Sequence, residues 1–468
     1  MTAPGTAPER TRWGAVVAVS LGVVLAGLDM TIVAVVLPVL GDDLGAGSSA
    51  AQWVLLGYSL PLLALSVPAG RWLDRADPRA AFAFAVGGFG VASALIALAP
   101  GFALVVAARV LQGLFGALVG VTVLPIVGRS VRREHRARAM AVVLTLIPLS
   151  GVAGPALGGL LTEAFGWRSV FLVNVPVAAL AVACGMRAIA RERAGLPVPD
   201  RGMLAEVLVL GAASAALFLA LDLFGRRSGL VPPLLLVAVA AVGTAVWAVL
   251  RPSRPVLALV RAPGIPGALL ALTSATAAVG AVNFLVPYFL ATTANAAPGE
   301  IGAALLCLSA AMAVTSPVAG VVADRVGSGR VAFAGALVFA GGTASLLCTG
   351  DSATPGGLAW RLALLGVGQG LFAGPNAAVL LDLTPANRFG TSAGVSALAR
   401  NLGFSLGPAL GALTWATAED PAAGFRAGAI AVLAVAALSA AASLPRHGKP
   451  AALRAPRTTS GRGPRARR

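Results

Sequence analysis

The sequence predicts an all-α membrane protein of fourteen transmembrane helices, built as two six-helix bundles in parallel repeat with two further helices inserted between them. Three observations predict it: an apolar composition, a succession of apolar stretches of spanning length, and short segments that occur twice in the same order. Of the 468 residues, 58% are hydrophobic and only 11% charged, with a mean hydropathy of +0.88. A soluble domain carries about 25% charged residues. Stretches of about 20 apolar residues, the length that crosses a bilayer core, follow one another with short breaks rich in Arg, Asp, Gly or Pro.

The elements follow in order. Residues 1–12 are polar, and the first apolar stretch, 13–40, is long enough to span and shows no clear cleavage site, so it reads as a helix and not as a cleaved leader. The stretches 51–71, 79–99, 102–128, 137–162 and 169–190 complete a first bundle within 13–193. Residues 203–224 and 231–250 form the inserted pair, assigned to a linker unit at 203–250. A second bundle at 263–445 comprises 264–291, 300–323, 330–350, 357–382, 388–416 and 423–445, before a basic tail at 446–468 that is expected to be disordered.

Arginine sets the orientation, because short basic loops stay cytoplasmic. Arg10 and Arg12; Arg71, Arg75 and Arg79; Arg129, Arg132, Arg133, Arg136 and Arg138; Arg187, Arg191, Arg193 and Arg201; and Arg251, Arg254 and Arg261 fall on one side. Asp42, Asp43, Glu163, Glu300, Asp351, Glu419 and Asp420 fall on the other, where Arg226 and Arg227 are the exception. An even number of spans returns the tail, with Arg446, Lys449 and Arg454, to the cytoplasm beside the N-terminus.

The repeat is explicit. AGRWLDR at 69–75 recurs as AGVVADR at 319–325, QGLF at 112–115 recurs at 369–372, and GPALG at 154–158 recurs at 407–411. Each pair is separated by roughly 250 residues, the length of eight helices with their loops. An even displacement preserves orientation, so the halves are parallel repeats, the arrangement in which two bundles flank a site at the midplane.

Rare residues exclude several chemistries. Lysine occurs once, at Lys449, which removes the Walker-type nucleotide loop and a retinal Schiff base. His135 lies in a basic loop and His447 in the tail, so no histidine relay or intramembrane histidine metal site is expected. Cys184, Cys307 and Cys348 stand singly in apolar stretches and read as packing residues. The net charge of +17 reads as topology signals and a solvated tail, not as a nucleic-acid surface.

Several segments resemble the motifs of the major facilitator superfamily, in particular its fourteen-helix drug:proton antiporter branch. LDMTIVAVVLP at 28–38 resembles the first-helix motif, GRWLDRADPR at 70–79 the loop motif after the second helix, RVLQG at 109–113 the fourth-helix motif and GVAGPALGG at 151–159 the fifth-helix antiporter motif; GWRSVFLVNVP at 166–176 also fits this branch. The chain departs at Ala34, where the family has Asn, and at Asp77 with Pro78, where the loop motif has Gly. The resemblance implies a transporter in which the fifth helix belongs to the gate between the halves and to exchange.

Physical reading of the same residues runs alongside. Asp29 lies in mid-helix with no opposite charge one turn away. A carboxylate there costs about 2.5–3.5 kcal/mol on insertion scales, so it needs a partner or a wet cavity. It is the candidate proton site, with Arg109 as its modulator and Gln112, one turn on, in the same network; a purely structural polar cluster is the alternative. Gly151, Gly154, Pro155, Gly158 and Gly159, with Gly403, Gly407, Pro408 and Gly411 in the second half, offer small faces and bends for close helix approach, read as a gate or as ordinary packing. Gly70, Asp74, Arg75 and Arg79, with Gly320, Asp324 and Arg325, read as a cytoplasmic latch on helix termini or as a topogenic loop. Tyr58, Asn283, Phe284, Tyr288, Phe372 and Asn376 are polar or aromatic groups in aliphatic helices and are the candidates for a substrate cavity. Glu206 and Asp222, toward the ends of the seventh helix, are expected at the membrane interface.

These readings converge on proton-driven efflux of lipophilic or amphipathic compounds by alternating access. The alternatives are a dedicated exporter of one endogenous metabolite and a transport-dead sensor or scaffold. The expected partners are small lipophilic substrates, protons and the bilayer, with no nucleic acid, no cofactor and no metal, in a protein that works as a monomer. An Arg- and Ala-rich composition points to a bacterial plasma membrane.

Overall fold

The structure, a computed structural model, describes residues 11–444 except 47, 193–194, 226–230, 295, 297, 350–353, 417 and 419. Arg10, Arg193, Arg226, Arg227, Asp351, Glu419 and the tail at 446–468 therefore lie outside the described residues.

The helices are α1 (Trp13–Asp43), α2 (Ser48–Arg75), α3 (Pro78–Ala97), α4 (Phe102–Ser130), α5 (Arg136–Phe165), α6 (Arg168–Leu172), α7 (Asn174–Ala188), α8 (Arg201–Gly225), α9 (Val231–Val249), α10 (Arg254–Val260), α11 (Ile265–Thr293), α12 (Pro298–Val326), α13 (Ser328–Leu347), α14 (Pro355–Leu383), α15 (Phe389–Ala416) and α16 (Pro421–Ala442). Apart from the short α10, they correspond one for one to the predicted spans, except that the span expected at 169–190 is broken into α6 and α7. Pro176 accounts for the break: it has no N–H for the carbonyl of Leu172, where α6 ends. Among the described residues, eleven helical segments are long and apolar enough to cross a membrane. Among the described residues, four starts are capped by the side chain just before them, with Asp77 accepting from the amide of Ala80, Asp200 from Met203, Thr354 from Gly357 and Asp420 from Ala423; all but Asp200 are followed by proline in the first turn. Asp77 and Pro78, the departure from the loop motif, are thus the start of α3.

The packing repeats as the sequence does. In the first half α2 lies on α4, α1 on α5, α3 on α4 and on α7, and α1 on α7; in the second, α12 lies on α14, α11 on α15, α13 on α14 and on α16, and α11 on α16. The halves meet through α2 with α15 and α5 with α12, flanked by α4 with α15 and α5 with α14, so the contacts between the halves are themselves paired by the repeat. Each half has its own apolar core, around Phe82, Phe89 and Val119 in the first and Leu285, Phe289 and Phe425 in the second. The first and last described residues lie at the same end: the amide of Arg12 bonds the carbonyl of Ser130, and Ser439, near the close of α16, bonds Ala271 near the start of α11. The arginine clusters lie at this end, called here the basic face.

The inserted pair α8 and α9 packs on itself and on α2. Glu206 corrects the expectation of interface exposure. It is fully buried, ion-paired to Arg71 of α2, and accepts from Trp247 Nε1 of α9 at 3.1 Å. Arg71 also reaches the carbonyl of Pro252, and Trp72 Nε1 donates to the carbonyl of Pro197 at 2.7 Å. The side chain of Asp222 lies outside the described ones.

Candidate functional site

A polar cluster is enclosed in the middle of the first half. Asp29 of α1 and Arg109 of α4 are 2% and 1% exposed, and Arg109 Nη1 lies 2.6 Å from Asp29 Oδ2. Gln112, one turn along α4, donates from Nε2 to Asp29 Oδ1 at 2.8 Å and accepts from Arg109 Nη1 at 2.6 Å. Arg109 Nε donates to the carbonyl of Val54 on α2 at 2.9 Å. The sequence therefore brought Asp29, Arg109 and Gln112 together in advance of the structure. It did not bring in Asn174 or Ser93. Asn174, the first residue of α7 after the proline-linked break, donates to Asp29 Oδ1 at 3.0 Å, and Ser93 of α3 accepts from Gln112 at 2.7 Å and from Asn174 at 3.3 Å. The asparagine stood within the segment resembling the family, in an otherwise apolar run, and that was its only signal.

The carboxylate thus accepts from three donors on two helices, which compensates its burial. A proton on Asp29 turns an acceptor into a donor that faces existing donors. Tyr58, expected in a substrate cavity, instead closes this cluster: it is 2% exposed and the Arg109 guanidinium stands 4.6 Å from its ring centre.

Two glycines of the antiporter motif, Gly154 and Gly158, face α1. A Cβ on Gly154 would collide with the Thr31 hydroxyl, one on Gly158 would lie 3.3 Å from the Ile32 carbonyl oxygen, and one on Gly159 would meet nothing. The side chains of Pro155 and of position 151 are outside the described ones. In the second half Gly403 and Gly407 press on Thr276 and Ala277 of α11 and Gly411 on Phe284, the same contact repeated. Since α5 also packs on α12 and α14, these glycines couple the helix that bears Asp29 to the seam between the halves.

At the basic face the loop motifs close that seam. Asp74, at the end of α2, accepts from the amides of Gly390 and Thr391 at 2.6 and 2.9 Å and from the Thr391 hydroxyl, so it caps the start of α15. Asp324, at the end of α12, lies against the first turn of α5, near the amides of Ala137 and Arg138 and the Arg138 guanidinium. Gly70 and Gly320 allow the approach, since a Cβ on the first would collide with Gly390 and on the second would lie 2.6 Å from the Arg138 Cα. Arg136 adds an ion pair of 3.1 Å to Asp382 of α14. Arg75 instead turns to Asp200, 3.4 Å away before α8, while Arg79 is half-buried and Arg325 exposed.

The remaining cavity candidates separate. Phe372 and Asn376 are 1% and 3% exposed in the packed second half, where Asn376 Nδ2 donates to the Ala268 carbonyl at 3.3 Å, so neither lines an open surface. Asn283 is exposed, and Phe284 and Tyr288 stack at 4.6 Å, with Trp415 edge-on to Tyr288 at 5.8 Å.

Comparison with known proteins agrees with this architecture. The family model described as Major Facilitator Superfamily matches residues 19–249 and 268–466. The chain is 32% identical over 404 residues to the tetracenomycin C resistance and export protein of Streptomyces glaucescens, covering 85% of this chain and 75% of that one. It is 30% identical over 409 residues to the multidrug resistance protein Stp of Mycobacterium tuberculosis, again covering 85% and 75%. The human organic anion transporter MFSD10 shares the fold, with a TM-score of 0.65 at 16% identity over 93% of this chain and 100% of that one.

Proposed function

Since the chain belongs to the major facilitator superfamily, we propose that it exports lipophilic or amphipathic small molecules across a bacterial plasma membrane in exchange for protons, without a cofactor. In this reading the bundles at 13–193 and 263–445 rock against each other, the segment at 203–250 links them, both termini are cytoplasmic and one chain suffices. The observation that carries it is the enclosed Asp29–Arg109 pair, the kind of intramembrane ionisable group that marks a proton or ion pathway. The relatives named for antibiotic and multidrug resistance support the substrate class.

The basic face is the cytoplasmic gate, held shut by Asp74 on α15 and Asp324 on α5. A proton arriving at Asp29 breaks its bonds to Gln112 and Asn174, α1 moves, and the glycine contacts carry that movement to α5 and so to the gate. Release of the proton on the cytoplasmic side lets the cluster re-form. A relative named for a single compound, tetracenomycin C, favours a second reading in which the substrate is one endogenous product.

The test is a susceptibility panel of lipophilic antibiotics in a pump-deficient bacterial host expressing wild type or Asp29→Asn at equal membrane levels. Wild type should raise tolerance to at least one compound and Asp29→Asn should not. No difference between the two across the panel would refute proton coupling at Asp29.

A further inference from the structure

A second intramembrane cation, Arg400, plays no part in the cluster around Asp29. It lies in the middle of α15, the twelfth residue of that helix and about 17 Å from its start at the basic face. Among the described residues it makes no ion pair and no side-chain hydrogen bond, and no carboxylate stands near it. An arginine at such a depth is costly and is ordinarily paired or turned to an aqueous cavity.

The direction in which Arg400 points follows from its helix. At about 100° per residue, it falls between two faces whose neighbours are known. On one side Ala399 and Gly403 pack on α11; on the other Gly390 and Gly394 press on α2, against Gly70 and Ser66. Between them runs one stripe that contains Phe389, Ala393, Arg400 and Phe404. At its lower end this stripe is packed across the seam: Phe389 and Ala393 belong to the apolar core of the first half, and a Cβ on Gly128 of α4 would lie 2.6 Å from the Phe389 ring. Higher on the stripe the packing ends. Arg400 is half-buried and the Phe404 ring is 47% exposed. The same stripe that seals the basic face thus becomes, two turns up, a partly open surface bearing a guanidinium with an exposed phenyl ring one turn beyond it.

We infer that Arg400 and Phe404 form a subsite for the anionic group and adjoining apolar body of the exported molecule, so that lipophilic monoanions are a preferred substrate class. A carboxylate or an acidic phenol supplies the paired charge that the protein withholds, through the planar two-donor geometry of the guanidinium. The adjacent ring gives the hydrocarbon or aromatic part a surface to stack on. This inference rests on the export reading, but its test is binding, which needs no gradient.

The probes are 1-pyrenebutyrate and its neutral amide, titrated into purified protein in nanodiscs at pH 7.5, where the acid is ionised, with binding read from probe anisotropy. Wild type should hold the acid more tightly than the amide. Arg400→Gln should weaken the acid about tenfold and leave the amide unchanged, and Arg400→Lys should recover part of the loss. Phe404→Ala should weaken both probes alike, and the thermal transition of each variant checks that it is folded. A wild type that does not prefer the acid, or an Arg400→Gln that loses both probes equally, would overturn the inference. Neither result bears on Asp29-dependent tolerance, so failure of the subsite and failure of the export reading are told apart.

Discussion

Gly70 and Gly390 oppose each other across the seam, each placed so that a Cβ on it would collide with the carbonyl oxygen of the other. The basic face closes only because neither residue has a side chain. Gly390→Leu should therefore disfavour the closed face by about 1–3 kcal/mol, the usual cost of overpacking, and shift the protein toward opening at that face. Spin labels on the ends of α2 and α15 should report a longer distance in the variant; an unchanged distribution would mean that the contact does not control closure.

Arg109→Lys keeps a charge beside Asp29 but has no fork with which to hold Asp29, Gln112 and the Val54 carbonyl together. Substrate-driven proton release in proteoliposomes should fall severalfold. Asn174→Ala removes one neutral donor at 3.0 Å and should cost less, about 1 kcal/mol in thermal stability, while altering the pH dependence of release. Identical profiles for Asn174→Ala and wild type would place Asn174 outside the proton site.

Alanine substitutions along α5 should be graded. Gly154→Ala meets Thr31, which is bonded to the Gly27, Leu28 and Ser150 carbonyls, so it should cost about 1–3 kcal/mol and most of the transport. Gly158→Ala has contacts no closer than 3.3 Å and should be mild, and Gly159→Ala, with open space around it, should be neutral. Thermal melting in detergent gives the order, and equal effects at Gly154 and Gly159 would show that fit against α1 is immaterial.

Glu206→Gln removes the ion-pair partner of Arg71 at a fully buried site. Loss of one partner of a buried pair costs up to about 3–5 kcal/mol, so the thermal transition should drop, and proteolysis of the loop at 190–200 should accelerate as α8 and α9 loosen from α2. An unaltered digestion rate would show that the inserted pair is held by apolar packing alone.

Acid should weaken the start of α8. The Met203 amide, and secondarily Arg75, hold the Asp200 carboxyl below the usual carboxylate range. A pKa lowered by folding stabilises the folded form above the unfolded value, near 4, and this contribution disappears as pH falls through the lower folded value. Because the group is 52% exposed, the effect is small and screened by salt. Melting curves of wild type and Asp200→Asn should run parallel from pH 7 to 5 and converge below; a constant offset down to pH 3 would exclude Asp200 as the source.

The charges of the core were legible in the sequence because a carboxylate and a guanidinium deep in apolar helices are expensive enough to demand each other. Asp29 and Arg109 are that pair, and Gln112 follows from helical spacing. Asn174 and Ser93 were not legible, since small neutral polar groups cost little in a helix and occur in many spans. Tyr58, Phe372 and Asn376 show the converse: type and depth were read correctly, but which side of a helix faces a cavity depends on neighbours that the repeat alone does not reveal. The glycine motifs announced close approach without naming the partner, which proved to be α1 and α11. Arg400 stood in a glycine-rich helix whose repeat drew the eye to packing, and its isolation is a property of three dimensions.

The Asp29–Arg109 pair is electrically neutral as it stands. In the exchange proposed above, a proton on Asp29 gives the same cluster one net positive charge within the membrane field. A carrier of this build responds to voltage as well as to the pH difference: an inside-negative potential favours the inward-directed, protonated limb by about 2.3 kcal/mol per 100 mV if the charge crosses the whole field. The guanidinium that anchors the carboxylate thereby also makes it the point at which membrane potential does work on the protein.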